Sequence, residues 1–154
     1  MLNKDYSEIL QILSDNDVKF LVVGAYAMGA YGCVRATGDI DLWVMASSEN
    51  SEKVYTALKV FGAPLGQIDS GTFNQPGVGF QIGVAPRRID VLTRIDGVGF
   101  DQAYERRNVI EIYGMKIPFI SLKDLITNKL STGRAKDKLD AEQLSEIGGD
   151  FGAI

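Results

Sequence analysis

Four consecutive apolar residues, Phe20-Leu21-Val22-Val23, run straight into Gly24. A run this short and continuous reads as a central strand with both faces buried, so it demands cover on each side. The neighbouring patterns supply that cover. Upstream, Tyr6, Ile9, Leu10 and Leu13 recur at three- and four-residue steps, which predicts one apolar stripe on a helix ending at the polar Ser14–Asp17 cluster. Downstream, AYAMGAYG is rich in small residues and predicts a short helix lying close on the sheet, with Gly29 and Gly32 as close-packing positions. Strands flanked by helices in this way predict an α/β (α+β) class.

Ile40–Val44 reads as a second strand. Asp39 and Asp41 then share one face and Ile40 and Leu42 the other. Ser48 is the expected cap of a helix reaching Phe61, with Glu49 and Glu52 in its first turn and Val54, Leu58 and Phe61 on its apolar stripe. Residues 62–77 are dense in glycine, asparagine and proline and predict a long loop of the kind that is often functional. Two strands, Gly79–Val84 and Arg88–Thr93, follow around Ala85-Pro86-Arg87. Asp101–Arg106 predicts a brief helix, and Val109–Tyr113 with Met115–Pro118 a tight hairpin around Gly114.

Ser121-Leu122-Lys123-Asp124 has the form of a capping box with aspartate in the glutamate place. It predicts a helix through Leu130 that breaks near Thr132-Gly133. A last helix carries Leu139 and Leu144 toward Ile147, and the GGDFGAI tail, without periodicity, is expected to fray. No repeat, low-complexity tract or linker interrupts residues 1–154, so the expectation is one domain, with a core of about 18–120 and C-terminal helices of about 121–147.

Composition narrows the chemistry. At 154 residues, with 45% hydrophobic and 23% charged residues, the chain is ordinary globular material. It has one cysteine, Cys33, and no histidine, which excludes an internal disulfide, imidazole zinc sites and hydrolases that use a histidine base. The opening MLNKDYSEIL is charged and amphipathic, unlike a secretory signal, and no run approaches the roughly 20 apolar residues of a membrane span, so a cytoplasmic location is expected. Residues 1–77 carry 5 basic and 9 acidic side chains and residues 78–154 carry 11 of each. Broad capture of nucleic acid is therefore disfavoured. Arg87, Arg88, Arg106, Arg107, Arg134, Lys136 and Lys138 read either as a solvated mixed-charge face or as a local basic surface.

The chemistry concentrates around the acidic pair. Carboxylates two residues apart on a strand emerge on one face about 7 Å apart at the backbone and can converge on one ion. On a packed face they would be costly, so that face meets water, a cation or a basic partner. Hard oxygen ligands suit Mg2+ or Mn2+, above all where substrate phosphates complete the shell. Gly24 lets a backbone amide approach a phosphate. Arg35 and Thr37 lie just before the pair and could contact phosphate, although Arg35 could equally be the counter-ion of the acids. Asp90, between Ile89 and Val91, offers a third carboxylate. The glycine spacing fits neither a Rossmann fingerprint nor a P-loop.

The segment VVGAYAMGAYGCVRATGDIDLWV followed by RIDVL resembles the nucleotidyltransferase superfamily typified by polymerase β. The likeness extends through SLKDLITNKLSTGRAKDKLDAEQL, which looks like the lysine and aspartate helical motif of the branch that includes abortive-infection toxin enzymes. The resemblance implies a minimal nucleotidyltransferase fold, a mixed β-sheet with flanking helices and a C-terminal helical pair. It implies that Asp39 and Asp41 bind metal, that Asp90 joins them and helps to activate an acceptor hydroxyl, and that Lys129 acts at the triphosphate. Gly24, Ala25, Arg35, Thr37, Arg134 and Asp137 would complete the nucleotide site. Two cations about 4 Å apart suit an in-line phosphoryl displacement.

One departure stands out: the family usually has glycine or serine after the first motif glycine, and Ala25 has no hydroxyl to offer a phosphate. The leading expectation is an enzyme that moves a nucleoside monophosphate from a triphosphate to a hydroxyl acceptor, RNA or protein among the candidates, with release of pyrophosphate. Ala25 and the short chain favour a catalytically weak or inactive nucleotide-binding or protein-interaction module instead. A toxin-type enzyme acting on tRNA is the third reading. A homo-oligomer or an antitoxin-like partner could supply the acceptor surface that so short a chain lacks.

Overall fold

The computed structural model describes residues 2–151. Helix α1 (Lys4–Asp15) begins where the Asn3 side chain accepts a hydrogen bond from the Tyr6 amide at 2.9 Å, and it buries the expected stripe of Tyr6, Ile9, Leu10 and Leu13. Strand β1 (Phe20–Val23) is buried at all four positions, so both of its faces are covered as the apolar run requires. Burial of a side chain such as Leu21 contributes roughly 1.5–3 kcal/mol. Helix α2 (Gly24–Ala30) follows without a linking residue, and strand β2 spans Asp39–Val44.

Helix α3 (Ser48–Phe61) starts at the expected cap, so its cap lies one residue earlier. Ser47, in extended conformation, accepts from the Asn50 amide at 3.1 Å, which leaves Ser48 as the first helical residue. Gly62 closes the helix in the left-handed region at φ 92°. The long loop is pinned from within. Phe73 is fully buried, and the Ser51 hydroxyl both accepts from the Phe73 amide at 2.9 Å and donates to the Ser70 carbonyl at 2.7 Å.

Strands β3 (Gly79–Ile82) and β4 (Arg88–Leu92) are slightly shorter than predicted, since Gly83 turns the chain with φ 71°. After α4 (Phe100–Glu105), strands β5 (Asn108–Ile112) and β6 (Met115–Phe119) form the expected hairpin. Tyr113 and Gly114 both have positive φ, 50° and 79°, the geometry of the two-residue turn that matches strand twist.

Helix α5 (Leu122–Ser131) is capped by the Ser121 hydroxyl, which accepts from the Asp124 amide at 3.1 Å. The reciprocal half of the box is not made. The Asp124 carboxylate instead takes two hydrogen bonds from Arg106, at 2.9 and 3.0 Å. Helix α6 (Ala135–Phe151) runs past the expected end at Ile147 and on through Gly148, which lies against Leu122. Packing on α5 here overrides the weak helix preference of glycine. The inward stripe of α6 is Asp137, Asp140, Ala141 and Leu144; Leu139, expected to be apolar cover, is 61% exposed because it falls off that stripe.

The strands form one six-stranded sheet in the order β3-β4-β2-β1-β6-β5, with β2/β4 and β1/β6 parallel and the other pairs antiparallel. Among the described residues the class is therefore α/β with a mixed sheet and six helices, as expected. Helix α1 packs on α3, α5 on α6, and α2 touches α5. Core residues from α1, β1, β2, β4, β6 and α5 form one continuous cluster, so α1 belongs to the core that was expected to begin near residue 18. Among the described residues, no helix is long and apolar enough to cross a membrane.

Candidate active site

The parallel ladder between β2 and β4 sets Asp41 opposite Asp90 and Asp39 opposite Arg88. Alternation along β2 brings Asp39 and Asp41 to one face, and the register adds Asp90 beside them. Carboxylate oxygens of Asp39, Asp41 and Asp90 all lie within 4.8 Å of one another. The backs of both strands, Ile40, Leu42, Ile89 and Val91, are buried in the core, which fixes the direction of the acids.

Strand β1 ends against the same cluster. Val23 is the register partner of Asp41, and Gly24 follows with φ 70°. A Cβ at Gly24 would stand 2.2 Å from Asp41 Oδ2, so only glycine satisfies both the left-handed backbone and the close approach. Gly29 and Gly32 do not have the close-packing role expected of them. A Cβ on Gly29 would meet nothing within 4 Å, and Gly32 follows the end of α2 with φ 99°.

Arg88 is the cation of the cluster. Its Nη2 lies 2.8 Å from Asp39 Oδ2 and 3.0 Å from Asp90 Oδ2, and its Nε donates to Asp90 at 3.1 Å. The Thr37 hydroxyl donates to Asp39 Oδ1 at 2.8 Å. Burial works against ionisation of Asp39, but the Thr37 hydroxyl, the hydrogen bond shared with Asp90 and the Arg88 charge together hold it below the usual carboxylate range. At Asp41 the Arg88 charge is outweighed. Burial, then the negative charges of Asp39 and Asp90, push its carboxyl up to about 7. Asp90 is also raised, by burial and by the hydrogen bond it shares with Asp39.

Arg35 is not the counter-ion of the acids, the alternative open from sequence. It reaches across to α6, where it pairs with Asp140 and donates to Gln143 at 2.8 Å. Lys129, on α5, sits between Asp137 at 3.3 Å and Asp140 at 3.4 Å. Asp137 also accepts from Thr132 at 2.7 Å and pairs with Arg134 at 2.8 Å. Burial opposes its ionisation, yet the Thr132 hydrogen bond and the Lys129 and Arg134 charges keep its carboxyl below the ordinary range.

A cavity of about 370 Å3 brings most of these residues together: Gly24, Ala25, Arg35, Thr37, Asp39, Asp41, Lys129, Arg134 and Asp137 line it, with Lys136 and Asp140. Asp90 does not line that cavity but touches it through its fellow acids. Two contributors, Arg88 and Asp140, were not singled out by the sequence pattern as site residues. Arg88 is two residues from Asp90 on a strand and Asp140 three from Asp137 on a helix, so each shares its partner's face; that spacing is the signal that could have found them.

The remaining basic residues are dispersed. Arg106 is held by Asp124, Arg87 pairs with Asp5 at 3.6 Å, and Arg107 stacks over the Tyr104 ring at 4.1 Å. The mixed-charge reading describes this surface.

Residues 2–151 match the family model described as "Nucleotidyl transferase of unknown function (DUF2204)". The chain belongs to this nucleotidyl transferase family. No curated protein matches the sequence significantly.

Solved structures share the fold at low identity. TM1012 from Thermotoga maritima, named as a candidate nucleotidyltransferase, aligns with a TM-score of 0.59 at 17% identity over 97% of this chain and 96% of its own. The antibiotic-resistance factor ANT(2'')-Ia aligns at 0.60 and 14% identity, over 97% of this chain and 83% of its own. The lincosamide antibiotic adenylyltransferase LnuA, solved with lincomycin bound, aligns at 0.57 and 16% identity, over 96% of this chain and 98% of its own. The six-stranded mixed sheet with its flanking helices is thus the nucleotidyltransferase fold.

Proposed function

We propose that this nucleotidyltransferase moves a nucleoside monophosphate from a triphosphate to a hydroxyl acceptor. The observation that carries the reading is the convergence of Asp39, Asp41 and Asp90 within 4.8 Å, beside a cavity that also presents Lys129 and Arg134. Three acids share a single nearby guanidinium, and burial together with the charges of Asp39 and Asp90 drives Asp41 toward neutrality. This excess of negative charge on hard oxygen donors fits a divalent cation such as Mg2+ or Mn2+, held by Asp39, Asp41 and Asp90. When bound, such an ion supplies positive charge to the phosphoryl group in transfer.

The chain's own residues account for the rest. Gly24 and Ala25 offer first-turn backbone amides of α2, which lack intrahelical partners, and the absence of a hydroxyl at Ala25 leaves this amide contact intact. Lys129 and Arg134 neutralise the triphosphate, exchanging part of their contact with Asp137 for contact with phosphate oxygens; Arg35 and Thr37 complete the wall. Asp90, more basic than an ordinary carboxylate, takes the acceptor's proton. The acceptor oxygen forms a bond to the α-phosphorus as the bond to the bridging oxygen breaks, and pyrophosphate leaves with that electron pair.

Neighbouring folds lend support. LnuA is an adenylyltransferase of lincosamide antibiotics, and ANT(2'')-Ia was solved with adenylyl-2''-tobramycin. Asp39→Asn and Asp41→Asn are expected to abolish metal-dependent pyrophosphate release from ATP with circular dichroism unchanged. Equal turnover in wild type and both variants would refute the assignment. Ala25 favours one second reading, a nucleotide-binding module without turnover; calorimetric binding of MgATP with no pyrophosphate release on any acceptor is its mark.

A further inference from the structure

A second cavity, of about 400 Å3, adjoins the first. The two share Ala25, Arg35 and Thr37 as lining residues. Thr37 makes the junction at atomic scale, since it lines the second cavity while its hydroxyl is bonded to the Asp39 carboxylate at 2.8 Å. The volume is that of a site for a small organic molecule.

Its chemistry differs from that of its neighbour. Tyr26, Val34, Ile112, Tyr113 and Phe119 contribute apolar and aromatic surface, and among the described residues no carboxylate lines it. Among the described residues the only charged lining residue, Arg35, is already engaged by Asp140 and Gln143. Val34 and Tyr113 are 84% and 63% exposed, large side chains left in water at the cavity wall.

Gly29 adds an independent point. It lies inside α2 and lines this cavity, with open space where a Cβ would be. Packing does not require glycine there, and glycine is a poorer helix former than alanine. The missing side chain keeps the cavity open.

We propose that this cavity is the acceptor subsite and that the acceptor is a small uncharged molecule pairing an apolar or aromatic ring with a hydroxyl. The inference rests on the transfer reaction proposed above. A triphosphate is served by Lys129, Arg134 and Lys136, which line the first cavity and not the second. A polycationic acceptor would need carboxylates, and an RNA would need unpaired cations; this wall supplies neither.

The test measures binding to the full chain of three probes: 2-naphthylmethanol as the neutral aromatic alcohol, tobramycin as the polycation, and MgATP. Two variants alter the cavity. Gly29→Phe fills it from α2, and Tyr113→Asn removes a ring while placing asparagine on a left-handed backbone that it tolerates. Wild type is expected to bind 2-naphthylmethanol, both variants about tenfold more weakly, with MgATP affinity unchanged and tobramycin bound no better than the alcohol. No binding of the alcohol to wild type, equal binding by all three proteins, or tighter binding of tobramycin overturns the proposal. So does a parallel loss of MgATP affinity in Gly29→Phe, which would assign the cavity to the nucleotide. Failure of wild type to bind MgATP at all would instead sink the transfer reading itself.

Discussion

Arg88 and Asp39 are direct register partners on the parallel β2–β4 ladder, and their side chains meet at 2.8 Å. The same guanidinium reaches Asp90, so one cation balances two of the three acids. A divalent ion entering the cluster competes with Arg88 for the same oxygens. Arg88→Gln is expected to lower the melting temperature in chelator and to raise affinity for Mn2+ severalfold. Calorimetric titration checks this; unchanged affinity would mean that Arg88 does not shield the cluster.

Gly24→Ala combines a strained backbone with a clash against Asp41. The expected cost is about 1–3 kcal/mol, with nucleotide binding lost alongside. Urea unfolding and MgATP calorimetry on the variant measure both effects. A variant as stable and as tight-binding as wild type would contradict the contact.

Asp41 makes stability depend on pH in an unusual sense. Its carboxyl is raised from 3.8 to about 7 in the folded chain, so between those values the native state holds a proton that the unfolded chain has released. Stability contributed by that proton is present below pH 4 and is lost as pH rises through 7. Asp90 acts in the same direction, while the lowered Asp39 has its effect on the acid side. Metal-free protein is expected to be less stable at pH 8 than at pH 5.5, by up to about 2 kcal/mol from Asp41 before partial hydration reduces the effect. Unfolding in chelator at the two pH values reads the difference, and Asp41→Asn should flatten it.

Lys129 is clamped between two acids buried on α6. Lys129→Met leaves Asp137 to Arg134 and Asp140 to Arg35, and is expected to cost about 2–4 kcal/mol, because part of the buried charge loses its partner. Denaturant melts of Lys129→Met and Lys129→Arg distinguish charge from packing: only the arginine variant should keep wild-type stability.

Local pattern made much of this legible. The all-buried β1 followed from its four apolar residues, and the shared face of Asp39 and Asp41 from strand alternation. The approach of Asp90 did not follow from local pattern, because nothing in RIDVL says which strand it pairs with; the family likeness carried that expectation. Arg35 stood nearer the acids in sequence than Arg88, but the chain between Tyr31 and Gly38 carries it to α6. Arg88 gained the role through pairing across 49 positions. Ser47 and Ser48 are equivalent caps until backbone geometry chooses between them, and Leu139 fits an apolar period that α6 does not present inward.

The pairing of Asp41 with Asp90 ties correctness of folding to competence. With β2 in place, a slip of β4 by a single residue would turn Ile89 outward and drive Asp90 among the core side chains. A misaligned sheet would therefore collapse as a structure before it could persist as an inert imitation of the enzyme, and native protein comes with its charges already aimed.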